Sequence, residues 1–120
     1  MLQVIDLETK FGLFDEQWEP RIIGAINDLH VKIVKLQGEF VWHRHESEDE
    51  LFWLIRGALT IRTRDGEITL SPGQMTIVPR GVEHQPVAAE EAWVILVEPA
   101  TTLNTGNVRD DRTVEEPAWI

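Results

Sequence analysis

Trp42-His43-Arg44-His45-Glu46-Ser47-Glu48-Asp49-Glu50 runs directly into the apolar segment Leu51-Phe52-Trp53-Leu54-Ile55. Side chains two residues apart share a face of a β-strand but stand about 200° apart around an α-helix, so His43 and His45 converge only on extended backbone. Glu50 follows His45 by five residues, an odd offset that would throw it to the opposite face of an unbroken strand. The polar stretch Glu46 to Asp49 therefore reads as a loop, after which Glu50 opens a new strand facing the two imidazoles. Imidazole and carboxylate together suit zinc, iron, nickel or manganese. The same residues also fit a solvated hairpin with no ligand role, and the rest of the chain has to decide between the two.

The chain has 120 residues, the size of one domain, large enough to bury a core without covalent staples. It has no cysteine, which rules out disulfides and thiolate metal sites. The start carries no basic and apolar leader, and no apolar run approaches a membrane span, so a soluble, cytoplasmic protein is expected. With 21 acids against 11 bases the formal charge is −10, and the bases form no stripe, which argues against a nucleic-acid partner.

Outward from the histidines, the pattern is one of short strands. Residues 1–20 read as an extended arm with at most a short strand. Arg21 to Ile26 and Leu29 to Leu36 read as strands about an Asn27-Asp28 turn, with Leu29, Val31 and Ile33 on one face of the second. His30 lies on the opposite face and reads as an ordinary strand histidine. Gln37-Gly38-Glu39 is expected to turn into a strand from Phe40 to His45. Leu51 to Ile55 is apolar on both faces, as in a strand covered on each side. Ala58 to Arg64 and Ile68 to Leu70 flank Asp65-Gly66, which fits a type I′ hairpin turn. Gln74 to Val78, Val87 to Ala89 and Trp93 to Val97 complete the series, the last two separated by a Glu90-Glu91 turn. This rhythm predicts an all-β sandwich or barrel over residues 21–99. Residues 100–120 read as an irregular tail anchored by Trp119 and Ile120. Of the five tryptophans, Trp42 and Trp53 flank the ligand stretch, but parity turns both away from it.

On these residues the chain resembles the cupin superfamily. Gly38, His43, His45, Glu50 and Gly57 fit its first motif, with four residues rather than five between Gly38 and His43. Gly73, Pro79, Gly81 and His84 fit the second, with Ala88 where asparagine is common. Fifteen residues separate Gly57 from Gly73, a spacing typical of small single-domain bacterial cupins. The resemblance implies a jelly-roll β-barrel (double-stranded β-helix) holding one divalent transition metal on His43, His45, Glu50 and His84. It also implies dimerisation, and Leu51, Trp53 and Ile55 would supply an apolar outer face for a homodimer.

Two classes of function follow. Four protein ligands leave an octahedral metal two open positions, which suits a metal-dependent enzyme of dioxygenase, isomerase or lyase type acting on a small molecule. Phe40, Phe52, Leu54, Ile61, Met75 and Ile77 are the expected inward wall, and Glu50 is the candidate catalytic base. Arg62, Arg64 and Arg80 are the nearby candidates for basic residues in the cavity, and none is placed convincingly inward. The alternative is a non-catalytic module that binds metal or a small ligand such as a sugar.

Overall fold

The computed structural model describes residues 2–120. Seven antiparallel strands make one sheet that wraps into a jelly-roll barrel. They are β1 (Arg21–Ile26), β2 (Leu29–Glu39), β3 (Glu50–Arg56), β4 (Leu59–Thr63), β5 (Gly66–Leu70), β6 (Met75–Val78) and β7 (His84–Pro99). The long β7 organises the rest: its second half pairs with β2 and with β3, while its first residues pair with β4. β1 extends the wall beyond β2, β6 closes it beyond β3, and β5 hangs on β4.

The barrel buries two apolar layers rather than one. Val34, Leu36, Phe52, Leu54, Leu59, Ile61 and Leu96 point inward and pack on one another. On the outer side of β2 and β7, Ile33 and Ile95 form a second cluster with Phe11, Phe14 and Ile23. The N-terminal arm supplies the cover, and it does so as a helix, α1 (Leu7–Phe11), not as extended chain. Asp6 caps it by accepting from the Thr9 amide at 2.9 Å and from its hydroxyl at 2.6 Å. Glu8 in the first turn and Lys10 in the last suit the helix dipole, and the chain turns out at Gly12. Phe11, the one buried residue of this helix, stacks on Trp93 with ring centroids 4.6 Å apart. Phe14 in turn seats Lys35, whose ammonium donates to the Phe14 carbonyl.

Several boundaries differ from the sequence expectation for local physical reasons. Gln37-Gly38-Glu39 is not a turn: β2 runs through it on a bulge, with a register shift between Leu36 and Gly38. The expected strand from Phe40 to His45 reduces to a single bridge between His43 and His84. Glu90-Glu91 is no turn either, because β7 passes through it unbroken. The β4–β5 hairpin pairs Thr63 with Gly66, so its loop is Arg64-Asp65, and neither residue has the positive φ that a type I′ turn requires. At the far end, Ile22 donates to the Ala118 carbonyl at 2.8 Å and Ile120 donates to the Ile22 carbonyl at 3.0 Å, laying the last residues beside β1. Ile120 packs against the outer cluster, whereas the Trp119 side chain stays 61% exposed. Met75 and Ile77, expected inward, are 50% and 59% exposed, because β6 turns their parity outward.

Candidate metal centre

His43 and His45 share one face of an almost unpaired segment, so its hold on the fold comes from outside it. His43 and His84 exchange backbone bonds, amide to carbonyl, at 3.1 and 2.8 Å. His45 accepts from the Gly81 amide at 2.8 Å. On the other flank, the Arg44 amide donates to Asn107 Oδ1 at 2.8 Å and the Arg44 carbonyl accepts from the Asn107 amide at 3.0 Å. The irregular C-terminal tail is thus a backing for the histidine segment. Gly106 sits against it so closely that a Cβ there would lie 2.3 Å from the Arg44 carbonyl oxygen. The loop before Glu50 is tied down by Asp49, which accepts from the Arg80 amide and guanidinium.

These constraints bring His43, His45, Glu50 and His84 together at the inner end of the barrel. All four are buried, and one ligand atom from each lies within 4.8 Å of the others. The His43 and His84 rings stand 4.3 Å apart, and those of His43 and His45 stand 5.0 Å apart. His43 Nδ1 and His84 Nδ1 face the Val41 and Val82 carbonyls at 2.8 and 2.9 Å. A carbonyl can only accept, so both rings carry their proton on Nδ1 and present a bare Nε2 to the centre. Glu50 Oε1 lies 3.4 Å from His45 Nε2 and 3.3 Å from His84 Nε2. All three atoms are buried without a properly aligned hydrogen bond. Native interiors rarely leave such groups unmet. An N₃O donor set of this kind, convergent and unsatisfied, is compatible with a divalent metal. His30 stays outside the cluster, its ring edge-on to Trp119.

Electrostatics prepare the same state. Burial, and then the neighbouring His84, lower His43 from 6.5 to about 4. Burial alone would raise the Glu50 carboxyl, but His45 and His84 outweigh it and hold the group well below the ordinary carboxylate range. His43 and Glu50 are therefore unprotonated at neutral pH, as metal binding requires. One consequence is measurable without metal. The fold keeps His43 neutral down to about pH 4 while the unfolded chain protonates it near 6.5, so the unfolded state binds the extra proton in that window. Stability of the metal-free protein should fall as pH drops from 6.5 toward 4, by up to about 3 kcal/mol from this residue. Urea unfolding of wild type and of His43→Asn, which cannot titrate, isolates the effect. Parallel losses in the two proteins across this window would contradict it.

The cluster closes one side of a narrow cleft. Trp18, Phe40, Phe52 and Leu96 are among its apolar lining, and His43 and Glu50 line it too. Trp18, which sequence reading leaves in the arm, stacks on Phe40 with centroids 4.6 Å apart. Trp42 points away from the cleft and lies under the Arg64 guanidinium. Arg62, Arg64 and Arg80 are 43%, 61% and 64% exposed and pair with surface acids. Two charged residues in the cleft escape the motifs altogether, Lys32 and Glu98, which are 3% and 2% exposed. Burial and the adjacent Glu50 charge push the Glu98 carboxyl well above the usual range, against the pull of Lys32. The only sequence signal for Lys32 is its parity with His30, Val34 and Leu36.

Comparison with known proteins identifies the family of this fold. The family model described as "Cupin domain" matches residues 30–98, more than half of the chain. A cupin-2 domain containing protein from Shewanella frigidimarina is 48% identical, over 80% of this chain and 94% of that one, with a TM-score of 0.79. KdgF from Halomonas is 26% identical, over 67% of this chain and 78% of its own, with a TM-score of 0.59. Bacillus subtilis YdbB is 34% identical over 64 residues, 52% of this chain and 57% of that protein, so the chain spans little more than half of that relative.

Proposed function

This chain belongs to the cupin family, and from that premise we propose that it is a metal-dependent enzyme acting on a small, partly apolar molecule held in the barrel cleft. The observation that carries the reading is the convergence of Glu50 Oε1, His45 Nε2 and His84 Nε2, buried and unsatisfied at the cleft wall. His43, His45, Glu50 and His84 would hold one divalent ion of the zinc, iron, nickel or manganese class. Such an ion supplies Lewis acidity toward a substrate oxygen, or redox chemistry where the metal permits it. The chain's own residues do the rest. Val41 and Val82 fix the imidazole tautomers, Phe40, Phe52 and Leu96 give the cleft an apolar lining, and Glu50 would be the base that takes a proton from bound substrate.

X-ray absorption on metal-loaded protein tests this reading. Two non-protein ligands beside the four side chains support an enzyme, and a closed four-coordinate site favours the non-catalytic binding module. For Glu50→Gln the expected outcome is retained metal with turnover lost on any substrate that the wild type converts. Metal loss with unchanged folding would make Glu50 a ligand alone.

The same reading includes a homodimer. Register sets Leu51 beside Ile77 and Trp53 beside Met75 on the outer face of β3 and β6. Trp53 is 37% exposed, and β6 is an edge strand paired on one side only. Ile55, by contrast, is packed into the cluster that the N-terminal arm covers, which narrows the proposed interface to the β6 side. Light scattering should give twice the chain mass at micromolar concentration, and Trp53→Glu should halve it. A monomeric wild type would remove this part of the proposal.

A further inference from the structure

The cleft holds one lysine–carboxyl pair that the four-residue cluster does not use. Lys32 Nζ lies 3.3 Å from Glu98 Oε2, with both side chains all but fully buried. Sheet register explains the encounter. β2 and β7 set His30 opposite Glu98 and Lys32 opposite Leu96, so Lys32 and Glu98 are diagonal cross-strand neighbours within reach of long side chains. β3 and β7 set Leu51 opposite Val97, which brings Glu50 alongside Glu98. Across three adjacent strands the inner face therefore reads Lys32, Glu98, Glu50, with the histidines beyond.

The pair is poorly satisfied for its depth. An ammonium has three donors, and the structure gives Lys32 one hydrogen bond among the described residues, to Glu98. Glu98 Oε1 is buried with no partner at all. A buried ion pair is a weak source of stability even when fully bonded, and apolar residues of similar volume serve as well or better. Here free donors and a free acceptor stand side by side, and both residues line the cleft. A group that accepts from one and donates to the other at the same time is a hydroxyl. An anionic group fits worse, because the Glu50 carboxylate flanks the position.

We infer that Lys32 and Glu98 form a hydroxyl-recognition site, in which a ligand hydroxyl accepts from Lys32 Nζ and donates to Glu98 Oε1 beside the Glu50 end of the cluster. This inference rests on the reading of the cleft as a metal-centred ligand site, and it narrows the substrate class to small molecules that carry a hydroxyl beside a metal-binding oxygen group. Lys32 and Glu98 are specificity-determining residues. An analogue without the hydroxyl leaves both groups buried and unpaired, which is the arrangement that rejects deoxy compounds most strongly.

The test uses zinc-loaded full-length protein, with metal content measured first. Calorimetric titration then compares lactate with propionate and 3-hydroxybutyrate with butyrate. Wild type is expected to prefer the hydroxylated member at least about tenfold in one pair. Lys32→Met/Glu98→Met removes both polar groups together and so leaves neither buried without its partner. It should keep one metal per chain while the preference falls below about twofold. If that variant does not fold, Lys32→Met/Glu98→Gln is read in the same way. A preference that survives in the variant comes from chelation by the metal and overturns the inference, as does metal-loaded wild type showing no preference. Wild type that binds no metal fails the broader reading and takes this inference with it.

Discussion

His84→Ala is expected to lower divalent-metal affinity by at least about 100-fold while leaving the barrel folded. Loss of a mere supporting residue around a metal costs about 10–100-fold, and His84 is proposed as a direct ligand. Its ring is fully buried, with Nδ1 held by the Val82 carbonyl and Nε2 3.3 Å from Glu50 Oε1. Alanine deletes the nitrogen but keeps the backbone bonds that join His84 to His43, so the strand end stays in place. Metal analysis after dialysis, with circular dichroism as the check on folding, reads the result. Undiminished metal in His45→Ala/His84→Ala would rule the centre out.

Gly106→Ala should be nearly as damaging, although it changes no ligand. Gly106 has φ +57, and a Cβ at that position would meet the Arg44 carbonyl oxygen at 2.3 Å and His43 Cδ2 at 3.1 Å. The nearest obstacle is backbone, so relief requires the tail to lift away. Lifting it breaks the two bonds between Asn107 and Arg44 that back the histidine segment. Left-handed strain and overpacking together predict a loss of about 3 kcal/mol or more, with metal affinity falling alongside. Gly73→Ala is the control. Gly73 also has positive φ, at +89, but nothing lies within 4 Å of its Cβ position, so only the backbone term of about 1 kcal/mol applies. Equal urea midpoints for the two variants would contradict the proposed role of the tail.

The contrast between these two predictions marks what the sequence conveys. His43, His45, Glu50 and His84 were legible because spacing within a strand period and the two glycine-punctuated motifs are local patterns. Their convergence within 4.8 Å follows once the barrel closes. Gly106 was not legible, since its role depends on contact with Arg44, 62 positions earlier in the chain. The helix at Leu7–Phe11 did leave a local signature in Asp6, Thr9 and Gly12, but the surrounding acidic and apolar mixture masked it. Lys32 and Glu98 show the limit of parity. Alternation says which residues share a face of β2, but both faces are covered here, one by the barrel interior and one by the arm. A charged side chain on such a strand therefore has no evident destination until the register with β7 is known. Met75 and Ile77 failed for the converse reason, since apolar character on an edge strand does not specify the inside.

The claim on which the rest depends is that this barrel carries a metal. Wild-type protein should be purified without any chelating column, and its bound metals measured by mass spectrometry against protein concentration. Close to one divalent transition metal per chain is expected, removable by a strong chelator and restored on adding zinc, iron, nickel or manganese salt. Less than about a tenth of an equivalent, with no uptake from any of the four, would contradict the account.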